Sequence, residues 1–151
     1  MRLLASVVLL AFSPAAFAAD KDEDKAKEAA VSLLKAIKAK DLDAVMKLST
    51  APFVYKDNDK PAVLKDTAAL KAWIKERLDE LKDADKVPTE VEKVVPFADL
   101  KEKIKDETDR KMIEDVVGKD GFVAVVSVDG KMIVIFVRIK DKAAKIVGIV
   151  H

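Results

Sequence analysis

Few residues of this chain are of the types that carry out chemistry, and their positions form no recognisable catalytic or metal-binding pattern. The sequence contains one histidine, His151, and no cysteine. His151 is the last residue and has no partner near it, so we expect neither a histidine-based metal site nor a Ser-His-Asp triad. Cysteine-dependent catalysis and thiolate ligands are excluded, and no glycine-rich phosphate-binding motif is present. The sequence therefore predicts no metal and no cofactor.

A carboxylate base beside a hydrogen-bond donor is the acid–base arrangement that remains open. Such a base needs apolar surroundings that adjust its pKa to the reaction. Tyr55 lies in a predicted strand and Asp57 follows it, so both side chains could stand at the mouth of a pocket. The alternative is a solvated turn aspartate beside a half-buried tyrosine. No acid interrupts the apolar residues of the last three predicted strands, which counts against an enzyme of this kind.

Two further side chains are candidates for lining a pocket together with Tyr55. Trp73 is the one tryptophan and lies on the apolar side of a predicted helix, where it serves either the core or a ligand. Arg138 follows apolar residues on one face of a predicted strand. Its guanidinium could bind a carboxylate, or its stem could cover apolar neighbours at a fraying strand end. The sequence does not show whether the three side chains meet.

Residues 1–18 have the parts of a cleavable signal peptide. Arg2 supplies a positive charge, an unbroken apolar run extends from Leu3 to Phe12, and Ala16 and Ala18 are the small residues of a cleavage site. The run is shorter than the ~20 residues that a membrane span needs. The alternative is a buried N-terminal helix. We predict export to a periplasm or to the exterior, with residues 19–151 forming one domain and no membrane anchor after cleavage.

The charge balance gives no electrostatic reason for binding nucleic acid or a membrane. The chain has 28 basic and 27 acidic residues, and removal of Arg2 with the signal peptide leaves 27 of each. A neutral surface of mixed sign attracts neither polyanions nor anionic lipid. Charged residues make up 36% of the sequence, above the ~25% of an average domain. They are typical of solvated helix faces.

The spacing of apolar residues predicts the order of the elements before the C-terminal third. We expect helices over residues 20–39, 67–82 and 97–117, a short helix that Asp41 caps and Pro52 ends, and strands over residues 53–56, 62–64 and 87–96. The charged stretch KDETDRK, at residues 105–111, could divide the last helix in two.

Three dense β-forming segments end the chain. They are residues 122–128, 131–140 and 143–150, and the first two are joined by Asp129-Gly130, the preferred dipeptide of a tight hairpin. The second pair turns at Asp141-Lys142. We predict an antiparallel meander of three strands.

The middle strand of this meander is apolar on both faces. Ile133, Ile135 and Val137 point one way, whereas Met132, Val134 and Phe136 point the other way. An antiparallel sheet with one solvated face should instead alternate apolar and polar residues. The N-terminal helices can cover one face. For the other face we expect a second copy of the sheet, in a homodimer; the alternative cover is the helix over residues 97–117.

Two phrases of sequence carry a family resemblance. They are KDLDAVMKL at residues 40–48, followed by Pro52-Phe53-Val54-Tyr55, and AKIVGI at residues 144–149. With the order of elements, they resemble the nuclear transport factor 2-like superfamily over most of residues 20–151. The resemblance implies a cone in which a curved sheet wraps around helices and leaves a pocket at its open end, often in a dimer. A helix over residues 97–117 departs from the commonest pattern.

We therefore expect an α+β fold in which N-terminal helices pack on a curved antiparallel sheet that ends in the three-strand meander. The superfamily it resembles includes ketosteroid isomerases, polyketide cyclases and many members without known chemistry, so the fold leaves function open. We predict a non-catalytic exported domain that binds a small apolar or amphipathic molecule or acts as a dimeric interaction module. The alternative is a small cofactor-free isomerase, dehydratase or cyclase that uses Tyr55 and a carboxylate.

Overall fold

The computed structural model describes the backbone of residues 14–151 and the side chains of residues 21–151. The charged start and the apolar run of the predicted signal peptide lie outside these residues. The elements are α1 (Pro14–Lys38), α2 (Leu42–Leu48), β1 (Ser49–Asp57), β2 (Lys60–Leu64), α3 (Thr67–Glu80), β3 (Lys93–Pro96), α4 (Phe97–Leu100), α5 (Glu107–Val117), β4 (Phe122–Val128), β5 (Lys131–Lys140) and β6 (Ala143–Val150), with 3₁₀ turns at Ala84–Lys86 and Lys101–Lys103.

The strands β1 to β6 form one curved, unclosed sheet in the order β2-β1-β6-β5-β4-β3. Neighbouring strands are antiparallel except for β1 and β6, which run parallel. The predicted α+β fold, with helices packed on a curved sheet, is confirmed. The sheet is mixed rather than antiparallel throughout, because the last strand returns to lie between β5 and the first hairpin.

Aspartate caps begin both α2 and α3, and the one at Asp41 is the cap that the sequence predicts. The side chain of Asp41 accepts a hydrogen bond from the backbone N–H of Ala44 at 3.0 Å, which satisfies one of the free donors in the first helical turn. The prediction that Pro52 ends α2 is wrong. The backbone already becomes extended at Ser49, and Pro52 lies inside β1.

The segment between α3 and β4 is less regular than predicted. Of the strand predicted over residues 87–96, residues 93–96 pair with β4, and the backbone N–H of Glu92 donates to the carbonyl oxygen of Val125 at 2.9 Å. Pro88, which lacks a backbone donor, lies outside the paired residues. The helix predicted over residues 97–117 is broken into α4, a 3₁₀ turn and α5. Asp106 caps the start of α5, because its side chain accepts a hydrogen bond from the backbone N–H of Asp109 at 3.0 Å.

The C-terminal meander agrees with the prediction at every boundary. In the first turn, Asp129 and Gly130 have φ of 49° and 76°, and in the second, Asp141 and Lys142 have φ of 52° and 64°. Positive φ at both central residues is the geometry whose twist matches that of a two-residue hairpin.

Both apolar faces of β5 are covered by helices of the same chain. On one face, Ile135 and Val137 are buried in a core built with α1, α2 and α3. On the other face, Phe136 belongs to a second core with Phe97 of α4 and Ile113 of α5. The rings of Phe97 and Phe136 meet edge to face, with centroids 6.2 Å apart.

The second cover is therefore the alternative that the sequence left open, the segment over residues 97–117. A second copy of the chain is not needed to bury this face. The homodimer through the sheet stays a prediction. The reason for expecting it was an uncovered face of β5, and helices of the same chain cover that face.

A β-bulge at Val147 sets which side chains of β6 reach each core. Phe136 pairs with Gly148, whereas Val137 pairs with Ile146, so Val147 is an extra residue on β6. The bulge shifts the alternation of side chains by one position. As a result Ile146 and Ile149 pack in the first core, and Val147 and Val150 pack in the second.

We expect Gly148→Ala to lower the free energy of unfolding by about 1–3 kcal/mol, the usual cost of forcing an extra methyl into a packed core. A Cβ at this position would lie 2.9 Å from the Phe136 ring and 2.9 Å from both Cβ and the carbonyl oxygen of Val54. Urea denaturation measures the change.

Gly130→Asn is the matched control, because a Cβ at Gly130 would meet nothing within 4 Å and asparagine tolerates the positive φ of this turn. Gly130→Asn should lower the free energy of unfolding clearly less than Gly148→Ala does. Equal stability of Gly148→Ala and the unmodified protein would show that β6 and β1 are not packed as described.

Candidate functional site

A pocket of about 570 Å³ opens at the end of the sheet where β5 begins and β6 ends. It lies between α3 and the first-core face of the sheet and is called here the Trp73 pocket. Its lining comes from three helices, three strands and the residues that follow α3, β1 and β6: Ile37, Val45, Lys56, Asp57, Asn58, Trp73, Ile74, Arg77, Leu78, Leu81, Ile133, Ile149 and His151. The volume is within the range of small-molecule sites.

The inner wall of the Trp73 pocket is apolar and rigidly packed. Val45, Ile74 and Leu78 are each at most 7% exposed, so they are fixed by the core behind them. Ile133 and Ile149 complete the wall from the sheet side. Ile149 reaches it because the bulge at Val147 has shifted the alternation of β6. A wall of this kind favours the apolar part of a ligand.

Trp73 is held in place by aromatic packing. Its ring lies 5.5 Å from that of Phe53 and 5.7 Å from that of Tyr55, both measured between centroids and both tilted. Tilted pairs at this distance are favourable. The indole N–H is buried without a hydrogen-bond partner in the described part of the chain, so ring contacts rather than a hydrogen bond orient the side chain.

The predicted candidates Tyr55 and Trp73 therefore meet, but they have different positions. Trp73 lines the pocket, whereas Tyr55 packs against Trp73 and is not among the lining residues. Tyr55 is half-buried, as the alternative reading of this residue had it. At this site Tyr55 contacts the tryptophan ring from outside the pocket.

The rim of the Trp73 pocket carries polar groups of both signs. The Arg77 guanidinium lies 5.7 Å from the centroid of the Trp73 ring and donates to Glu80 at 2.8 Å. The exposed carboxylate of Asp57 accepts a hydrogen bond from the Asn58 side chain at 3.1 Å. Polar groups around an apolar wall would orient an amphipathic ligand.

Arg138 lies away from this pocket, on the opposite face of the sheet. Its Nη1 donates to the carbonyl oxygen of Val116 at 3.4 Å, near the end of α5. A cation there interacts favourably with the carbonyl end of the helix dipole. The sequence left open whether Arg138 meets Tyr55 and Trp73, and in the structure it does not line their pocket. Its strand face was predicted correctly, but that face packs on α5 rather than lining the Trp73 pocket.

Some lining residues were missed or set aside by the sequence analysis. Arg77 follows Trp73 by one helical turn, a spacing that could have indicated a shared face. His151 is at the pocket because β6 continues to Val150, and its carbonyl oxygen accepts from Lys56 at 2.8 Å. Ile133 and Ile149 were recognised only as apolar strand residues, since no local signal shows that a cavity lies beside them.

The acid–base chemistry available at the pocket is limited. Asp57 is the acid among the lining residues, and it is exposed at a turn rather than enclosed by apolar groups. Among residues 21–151, no three His, Cys, Asp or Glu side chains are grouped closely enough to hold a metal ion. The groups at this pocket that could transfer a proton include Asp57 and His151, and both are exposed.

No protein-family model matches this chain, and no curated protein matches it significantly. Within the described part of the chain, no helix has the length and apolar character required to cross a membrane.

We expect Asp66→Ala to lower the free energy of unfolding by about 0.5–2 kcal/mol, the usual cost of losing an N-cap. Asp66 accepts from the N–H of Ala69 at 2.8 Å and so begins α3, the helix that carries Trp73 and Arg77. Thermal or urea unfolding followed by circular dichroism measures the loss. Lys71→Ala is the control, because Lys71 is exposed on the same helix. It should change the free energy of unfolding by no more than about 0.5 kcal/mol. Equal effects of the two substitutions would argue against the cap.

Proposed function

We propose that this chain is an exported binding domain that takes a small amphipathic molecule into the Trp73 pocket. The observation that supports it is the combination, in one cavity of about 570 Å³, of a buried apolar wall and a rim of mixed charge. Small-molecule sites are typically mostly apolar with a few polar groups that fix orientation.

The chemistry of the lining favours a ligand with an apolar body and one anionic or strongly polar group. The apolar body would lie against Trp73, Ile133 and Ile149. Arg77 could meet the polar group, because its present partner Glu80 is held only at the surface, where both side chains are more than half exposed. Such pairs contribute about 0–1 kcal/mol, so a ligand anion could replace Glu80 at little cost.

Membership of the nuclear transport factor 2-like superfamily is part of this proposal. Two observations support it. The elements follow the expected order: two N-terminal helices, a hairpin, a third helix and a C-terminal meander. A pocket also lies at one end of the curved sheet. The segment over residues 97–117 remains a departure from the commonest pattern. The resemblance implies a pocket at the open end of the cone, which is consistent with ligand binding there.

The rival function, a small isomerase, dehydratase or cyclase, has weaker support. It requires a carboxyl group in apolar surroundings beside a donor. Asp57 is exposed, and Tyr55 is turned to Trp73. An interaction module without a ligand is the other alternative, and it predicts that no small molecule binds saturably at this pocket.

We expect anilinonaphthalene sulfonate, an amphipathic aromatic anion, to bind the folded protein saturably and to quench the emission of Trp73. Ile133→Phe should weaken binding roughly tenfold or more, since a loss of about 1.4 kcal/mol corresponds to a factor of ten and the larger ring would occupy the pocket. Fluorescence titration measures both effects.

Met132→Phe is the matched control, because the neighbouring Met132 is 63% exposed and does not line the pocket. It should bind the probe as the unmodified protein does, and circular dichroism should show that both variants are folded. Absence of saturable binding, or equal binding by Ile133→Phe, would overturn the proposal.

Export is the remaining part of the proposal, and it is supported by the sequence of residues 1–18. We expect the protein expressed in a bacterium to be recovered from the periplasm with Ala19 as its first residue, as measured by intact mass. Ala18→Arg should leave the uncleaved precursor, since the cleavage site needs small residues. Recovery of an uncleaved chain from the cytoplasm, whether or not Ala18 is changed, would contradict export.

A further inference from the structure

A second cavity lies on the opposite face of the sheet from the Trp73 pocket. It has a volume of about 310 Å³, is open to solvent on one side, and lies between the strands and the segment that covers the second core. Val134, Phe136 and Val150 form its floor, and Phe97, Leu100 and Ile113 form its sides. It is called here the Phe97 pocket.

The Phe97 pocket exists because the cover of the second core is short and broken. α4 has four residues, a single 3₁₀ turn follows, and α5 does not begin until Glu107. Phe97 and Phe136 are buried, whereas Leu100, Val134 and Val150 remain only half-buried. Apolar side chains that a longer helix would bury are therefore left reachable around a cavity.

The rim of the Phe97 pocket carries an excess of positive charge. Lys56, Lys103 and Asp59 are the charged residues that line it. Asp59 is paired with Lys56 at 3.1 Å, and the same ammonium group donates to the carbonyl oxygen of His151 at 2.8 Å. Lys103 is exposed, and none of the salt bridges among residues 21–151 includes it. One unneutralised cation thus stands at the mouth of an apolar cavity.

We propose that the Phe97 pocket is a second binding site, for a small anionic amphiphile with a short alkyl chain. The alkyl chain would lie on Phe136, Val134 and Val150, and its carboxylate would meet Lys103. The volume is at the lower end of the range for ligand sites, which limits the occupant to a short chain. The apolar floors of the two cavities lie on opposite faces of the sheet, and the two linings share one residue, Lys56, at its end.

Adjacent residues of β5 allow the two sites to be tested separately. Val134 lines the Phe97 pocket and Ile133 lines the Trp73 pocket. We expect octanoate to shift the methyl NMR signals of Val134 and Val150 saturably. Val134→Phe should weaken octanoate binding at these signals tenfold or more. Ile133→Phe, the matched control, should leave it within twofold.

The anionic head group is tested by changing the charge at the rim. Lys103→Met should weaken octanoate binding about twofold to fivefold, as expected for an exposed charge pair, and should leave the binding of octanol unchanged. Lys105→Met is the control, because Lys105 is exposed on the same segment and does not line the cavity.

Three results would overturn this second site. The first is the absence of a saturable shift at Val134 and Val150 in the unmodified protein, a measurement that requires no variant to fold. The second is a shift at Val134 and Val150 that Ile133→Phe abolishes, which would mean that these signals report octanoate bound in the Trp73 pocket and would support the first proposal alone. The third is a shift that follows protein concentration rather than octanoate, which would mean that a second copy of the chain covers the cavity.

Discussion

The requirement to bury both faces of β5 determines how the rest of this chain is arranged. Ile135 and Val137 on one side and Phe136 on the other are at most 6% exposed, and a central strand of this kind must be covered twice. The N-terminal helix and α3 supply one cover. The segment from α4 to α5 supplies the other, and Phe97 fixes it to the sheet through its contact with Phe136. The helices between the strands are thus part of the core.

The two proposed sites arise where these covers are incomplete. Close packing is the norm inside proteins, so a cavity next to a core marks a place where helix and sheet diverge. The bulge at Val147 directs Ile149 into one cavity and Val150 into the other. On the neighbouring strand β5, Ile133 lines the first cavity and Val134 lines the second. Consecutive residues on two strands therefore supply the floors of two pockets on opposite faces of the sheet.

Local signals in the sequence predicted the elements better than their arrangement. The Asp41 cap and the Asp129-Gly130 turn act within a few residues, and the structure confirms both of them. The parallel pairing of β1 with β6 depends on residues almost a hundred positions apart, so no local pattern could show it. Trp73 was identified by its rarity, but its contact with Arg77 and the distant position of Arg138 depend on packing. The cavities depend on packing as well, because apolar residues beside a void look the same in sequence as fully buried ones.

Occupancy of the Trp73 pocket is tested most directly by a crystal structure of the protein grown with anilinonaphthalene sulfonate. The expected result is electron density for the probe between Trp73 and Ile133, with its sulfonate facing Arg77. The contrary result is a pocket filled by the protein's own side chains, with the probe bound elsewhere or not at all.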